Sequence, residues 1–185
     1  MFRPAIVLTL VFTALTGLAY PLAMTGLAQL AFPSQANGRG LGSVGQAFTR
    51  PDLFQGRPSA TTPPYNAESS TGSNLGPTNP AFLDAVKQRV AEVRAANPQQ
   101  PGLVPADLVT TSGSGLDPHL SVGAARYQIP RIAAASGKSL AELETLVETH
   151  TEGRWLGIFG EPRVNVVALN AALVKGAERS KDASR

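Results

Sequence analysis

The stretch from Thr110 to Ser121 reads TTSGSGLDPHLS and gathers a set of side chains able to do chemistry. Ser112 or Ser114 could act as a hydroxyl nucleophile, with His119 as its base and Asp117 to orient the base. The spacing argues against that use. Asp117 and His119 are two apart in a turn-forming stretch, and no G-x-S-x-G elbow surrounds either serine. The same Asp and His give two metal ligands where a zinc site needs three or four, and the sequence names no others. A third chemistry is anion binding, because Ser112-Gly113-Ser114-Gly115 can aim successive amides at a phosphate. No G-x-x-x-x-G-K-[ST] motif accompanies it, and Asp117 would repel phosphate. The pattern favours a glycine-permitted turn, closed by Asp117-Pro118 and followed by Ser121 as a helix cap.

Other polar clusters read as structural. His150 ends a helical stretch in line with Leu143, Leu146 and Val147, where a cation also suits the helix dipole. Glu152, Arg154, Glu161 and Arg163 in TEGRWLGIFGEPR read as a charged network, of the kind that builds a scaffold or a docking face. The chain has no cysteine, which excludes disulfides, thiolate metal sites and cysteine nucleophiles. Its net charge is +3 with no two Lys or Arg adjacent, so no nucleic-acid footprint is present.

The elements that must carry these residues begin with an uncharged run, Ala5 to Phe32. As a helix at about 1.5 Å per residue it exceeds the ~30 Å hydrocarbon core of a bilayer. It is about twice the length of a signal-peptide core, so an uncleaved anchor is expected rather than a signal cut after Gly26-Leu27-Ala28. Ala5, Thr9, Thr13, Gly17, Pro21 and Thr25 recur every four residues, a ridge along which another membrane helix can approach closely. Pro21 lacks an amide donor and crowds the Gly17 carbonyl, so a kink is expected in the second half. Arg3 on one side nearly balances Arg39 and Arg50 on the other, which leaves orientation open.

The sequence predicts four segments: an anchor over 1–32, an irregular docking segment over 33–79, an α+β core over 80–176 and a disordered tail over 177–185. Segment 33–79 is rich in Pro, Gly, Ser, Thr and Asn, with Phe48, Leu53, Phe54 and Tyr65 spaced along it like anchors and a short strand at Gly45–Phe48. A helix is predicted from Pro80 to Ala96, capped by Asn79, with Phe82, Leu83, Val86, Val90 and Val93 on one face. A strand follows at Leu108–Thr111, then a helix from Ser121 to Ser136 interrupted by Pro130, with Gly137 past its end. Ser139 and Glu142 form a capping box for a third helix, with Leu140, Leu143, Leu146 and Val147 as its buried stripe. A strand at Val164–Val166 leads into a last helix from about Val167 to Lys175.

Several blocks together resemble one family. RPAIVLTLVF, FPSQANG, GQAFTRPDLFQGRPSAT, YNAESSTGSNLGPTNP, VPADLVTTSGSGLDPH, AARYQIPRIA and HTEGRWLGIFGEPRVNVVALN are similar, in order, to the C subunits (KdpC) of bacterial potassium-transporting Kdp ATPases. The likeness runs from Arg3 to about Leu173; the stretch from Gly38 to Val44 is shorter than the family pattern. The resemblance implies a non-catalytic accessory subunit in the cell membrane, with one span, a short cytoplasmic N-terminus and an extracytoplasmic domain. It implies three partners besides lipid: a channel-like potassium-binding subunit, a P-type ATPase subunit and a small membrane peptide. It also implies a catalytic chaperone that raises the ATP affinity of the ATPase subunit, so ATP enters through the complex. On that basis Ser112, Gly113, Ser114, Gly115 and Gln128 are the candidates for nucleotide contact. The readings it competes with are an anchored hydrolase using Ser114, Asp117 and His119, and a secreted binding domain with a cleaved signal.

Overall fold

The computed structural model describes residues 2–37 and 44–183, with the side chains of the last helix described as far as Gly176. The short Gly38–Val44 stretch therefore lies almost wholly outside the described residues, as do the last two residues of the tail.

The uncharged run forms one helix, α1 (Phe2–Ala31), 30 residues long and apolar enough to cross a membrane. Its large apolar side chains are exposed, as a lipid-facing helix requires. Ahead of Pro21, where a kink is expected, the winding of the helix changes. Leu15–Ala19 winds as a π turn, and the Tyr20 N–H donates to the Leu15 carbonyl. Proline cannot donate to Gly17, so widening the turn ahead of it redistributes the backbone bonds. Thr16 adds its hydroxyl to the Phe12 carbonyl at 2.7 Å.

A second compact unit begins at Val44. Its regular elements are α2 (Pro80–Ala96), β1 (His119–Ser121), α3 (Val122–Ser136), α4 (Leu140–Thr149), β2 (Thr151–Glu152), β3 (Arg163–Asn165) and α5 (Val166–Ala183). The sheet has the order β1-β3-β2, all antiparallel, with Leu120 and Thr151 both opposite Val164. This is an α+β fold. The caps fall where the sequence places them: Asn79 accepts from Ala81, Ser121 from Ala124, and Ser139 with Glu142 closes a full capping box. Gly137 takes the left-handed conformation at the end of α3, with φ 73°.

Several expectations are corrected. Gly45–Phe48 is not a strand; the Gly45 amide donates singly to the Leu116 carbonyl, with no ladder beyond it. Leu108–Thr111 is not a strand either, because Ala106–Leu108 coils into a 3-10 turn and Val109 and Thr110 both donate back to Ala106. The last strand ends at Asn165, whose side chain accepts from Val167 and Ala168 and starts α5 one residue early. α5 runs on to Ala183, past Lys175. In α4, Leu143 and Val147 are buried but Leu140 is exposed, since the first turn stands clear of the core. α2 has no fully buried residue: Val93 packs against the core while Leu83 faces solvent.

The core is assembled from α3, α4, α5 and β3, with Ile132, Leu143, Val147, Val164 and Leu169 fully enclosed. It also contains Phe54, equally enclosed, and Leu53. Residues 44–79 are thus part of the domain, and its boundary lies near Val44 and not near residue 80. Leu53 and Phe54 anchor that segment to its own chain.

Candidate functional site

The TTSGSG loop is held by its own hydroxyls. Buried Ser112 accepts from the Gly115 amide at 2.9 Å, and Ser114 accepts from the Leu116 amide at 3.1 Å. The Gly115 amide, one of those that would face a phosphate, is therefore engaged. A second loop, Ser59–Gly72, closes over the first. The Ser114 carbonyl accepts from the Thr71 amide and the Ser70 hydroxyl, both at 3.0 Å, and the Gly115 carbonyl accepts from Ser59 at 2.7 Å. Gly115 sits at φ 67°, and a Cβ there would meet the Thr71 carbonyl at 2.6 Å. Glycine is required at this position on both counts.

Asp117 lies between Arg57 and His119. Its Oδ1 accepts from the His119 amide at 3.0 Å and faces the His119 Nδ1 at 3.2 Å; its Oδ2 accepts from Arg57 at 3.3 Å. Arg57 also donates to the Thr111 carbonyl. The structure brings Asp117 and His119 together as a hydrolase would need. It does not bring in the nucleophile, since among the described residues no hydrogen bond joins Ser112 or Ser114 to His119. The geometry is that of a β1 entry held in place, not a triad. His150 is likewise a helix cap, its Nδ1 donating to the Leu146 carbonyl at 2.8 Å. Among the described residues, no three His, Asp or Glu side chains converge as a metal site would require.

Gln128 belongs to a different group of side chains. On α3 it faces the core and grips the Gln55 backbone, accepting from its amide at 2.8 Å and donating to its carbonyl at 3.0 Å. Asn170 on α5 grips the neighbouring Phe54 in the same way, with both bonds 2.8 Å. One turn along α3, Arg131 donates to the carbonyls of Pro51 and Leu53, to Asn97 and to Gln128. Burial pulls the Arg131 guanidinium below its ordinary pKa. Three side chains thus replace the strand that would otherwise pair with residues 51–55. The sequence reading does not single out Asn170 or Arg131; Asn170 interrupts the apolar run VVALNAALV, and that is the signal that finds it. Tyr65, expected from its spacing to be an anchor, is one. It holds φ 61°, its hydroxyl donates to the Arg57 carbonyl, and its ring lies against Gly45 and Gly56. Burial raises its pKa.

The charged cluster forms as two ion pairs at the base of a hairpin. Arg154 meets both Glu161 oxygens at 2.8 and 2.9 Å, and Arg163 meets Glu152 at 2.9 Å across β2 and β3. Beyond them the chain turns back through Trp155–Phe159.

These features define a class: a domain with interlocked polar loops, on a chain that also has an apolar helix long enough to cross a membrane. The family model described as "K+-transporting ATPase, c chain" (KdpC) matches residues 2–175, and the chain belongs to that family. It is 57% identical over 181 residues to a potassium-transporting ATPase KdpC subunit of Sorangium cellulosum, covering 92% of this chain and 95% of the relative. KdpC subunits of Polaromonas naphthalenivorans and Dechloromonas aromatica are 56% and 51% identical, each over 94% of this chain and 93% and 96% of the relatives.

Proposed function

We propose that this chain is the single-span, non-catalytic accessory subunit of an ATP-driven potassium uptake complex. α1 packs among the membrane helices of a channel-like potassium-binding subunit, a P-type ATPase subunit and a small membrane peptide, along the ridge of Thr9, Thr13, Gly17, Pro21 and Thr25. The domain lies on the extracytoplasmic side and acts as a chaperone of the ATPase subunit, raising its affinity for ATP. The observation that carries this reading is the extent of the family match, which includes the anchor as well as the domain. A hydrolase would use the same loop, but among the described residues neither Ser112 nor Ser114 is hydrogen-bonded to His119.

The nucleotide candidates Ser112, Gly113, Ser114, Gly115 and Gln128 serve in this reading to shape the loop and hold residues 51–55, and the effect on ATP use is transmitted through subunit contacts. A tag placed after Arg185 tests the assembly. Pull-down from detergent-solubilised membranes recovers the channel-like and ATPase subunits, and the complex lacking this chain needs more ATP to reach half its maximal ATPase rate. Recovery of neither subunit refutes the reading. Saturable binding of ATP by the full chain alone would return the candidates to the role of ligands.

A further inference from the structure

The largest unexplained apolar feature in the described domain is the tip of the hairpin between β2 and β3. Trp155, Leu156, Ile158 and Phe159 are 69, 71, 73 and 58% exposed, four large apolar side chains within five residues. Single exposed leucines are ordinary on a protein surface, but a cluster of this kind marks a contact. The tip is built rather than loose. The Trp155 and Phe159 backbones exchange hydrogen bonds at 2.9 and 3.0 Å, and Ile158 and Gly157 donate to Trp155 and Arg154. The Trp155 and Phe159 rings lie 5.7 Å apart and tilted. Leu156 is held at φ 52° ahead of Gly157 and Gly160 at 74° and 81°. A leucine in that region is strained, and strain of this sort is retained where the fold needs a fixed shape.

We infer that this hairpin is a preformed plug that seats in an apolar, uncharged cup on another subunit of the same transport complex. The inference rests on the accessory-subunit reading above. Three observations favour a protein cup over the lipid surface. The two arginines at the base are matched by two glutamates, Arg154 with Glu161 and Arg163 with Glu152, so the rim of the tip carries no net positive charge to draw it to an anionic lipid surface. The chain already carries a helix long enough to anchor it, so a second membrane attachment adds little. A pre-ordered backbone lowers the ordering cost of binding a shaped partner, whereas fluid lipid does not demand one shape. A Trp at the centre of such a contact, ringed by aliphatic side chains, is the usual composition of a binding hot spot.

The test uses the full chain co-expressed with the other subunits, carrying the photoreactive residue benzoylphenylalanine in place of Trp155. Irradiation of native membranes is expected to join the hairpin to another subunit, mapped by mass spectrometry to an apolar segment. Adducts only to lipid, only to a second copy of this chain, or to nothing overturn the inference. Co-purification of the unsubstituted complex is scored separately. Its failure sinks the accessory-subunit reading, while intact co-purification without the crosslink sinks only the plug. A double variant, Ile158→Ser with Phe159→Ser, keeps the base ion pairs and buries nothing new. It is expected to lower partner recovery about tenfold or more; unchanged recovery, with its thermal unfolding unaltered, overturns the plug as well.

Discussion

At the scale of single residues, the glycines of TTSGSG are not equivalent, and that difference can be measured. Gly115 has a left-handed backbone and lies against Thr71 and Thr61, whereas a Cβ at Gly113 would meet nothing within 4 Å. Gly115→Ala must distort two interlocked loops and is expected to destabilise the domain by at least about 2 kcal/mol. Gly113→Ala is expected to stay within about 0.5 kcal/mol of the parent. Thermal unfolding of the full chain in detergent, followed by circular dichroism, checks both. Equal effects would mean that the loop packing is not what fixes the glycine. The glycine-permitted turn was legible from residue types alone. What the turn packs against was not, because Ser59–Gly72 is an irregular segment with no periodicity to place it.

At the scale of elements, the domain depends on side chains that stand in for a strand. Asn170 satisfies both backbone groups of Phe54, whose own side chain is fully enclosed. Asn170→Leu keeps the branching and heavy-atom count of the side chain and removes both bonds, stranding a buried amide and a buried carbonyl at about 1–3 kcal/mol each. The expected loss is about 2–5 kcal/mol in chemical unfolding. A loss below half a kcal/mol would show that Phe54 is held by packing alone. Helix α4 makes a prediction of a different kind. The Glu142 carboxylate accepts from the Ser139 amide and hydroxyl, which holds it below the usual range for a glutamate. A depressed folded pKa means the stabilisation is full above the unfolded pKa and is lost as pH falls through the folded one. The stability gap between the parent and Glu142→Gln should therefore shrink as pH drops below about 4; a gap that widens on acidification would contradict the cap. This capping box, Asn79 and Gly137 were readable in advance because caps are local. The strands expected at Gly45–Phe48 and Leu108–Thr111 failed for the opposite reason. Short runs carry no sign of whether a ladder partner exists: here the Gly45 amide is taken singly by the Leu116 carbonyl, and the Val109 and Thr110 amides turn back to Ala106.

At the scale of the whole molecule, the anchor and the α+β character followed from composition and periodicity, but the side of the membrane did not. Arg3 and the amino terminus stand before the span, with Arg39 and Arg50 soon after it, so the count of flanking positive charges barely favours either orientation. The extracytoplasmic placement proposed here is thus a claim that charge leaves free and labelling can decide. The chain has no cysteine, so a single introduced thiol reports its own side without background. Ala141 is exposed on α4 and takes part in the helix only through its backbone, so Ala141→Cys should leave the fold unchanged. In intact cells with a permeable outer envelope, a membrane-impermeant maleimide should modify Ala141→Cys fully. Arg3→Cys, at the other end of the span, should react only after the inner membrane is opened. The reverse pattern would put the domain in the cytoplasm, beside the ATP from which the proposal separates it. The polar loop at Ser112–Gly115 would then have to be tested again as a nucleotide site.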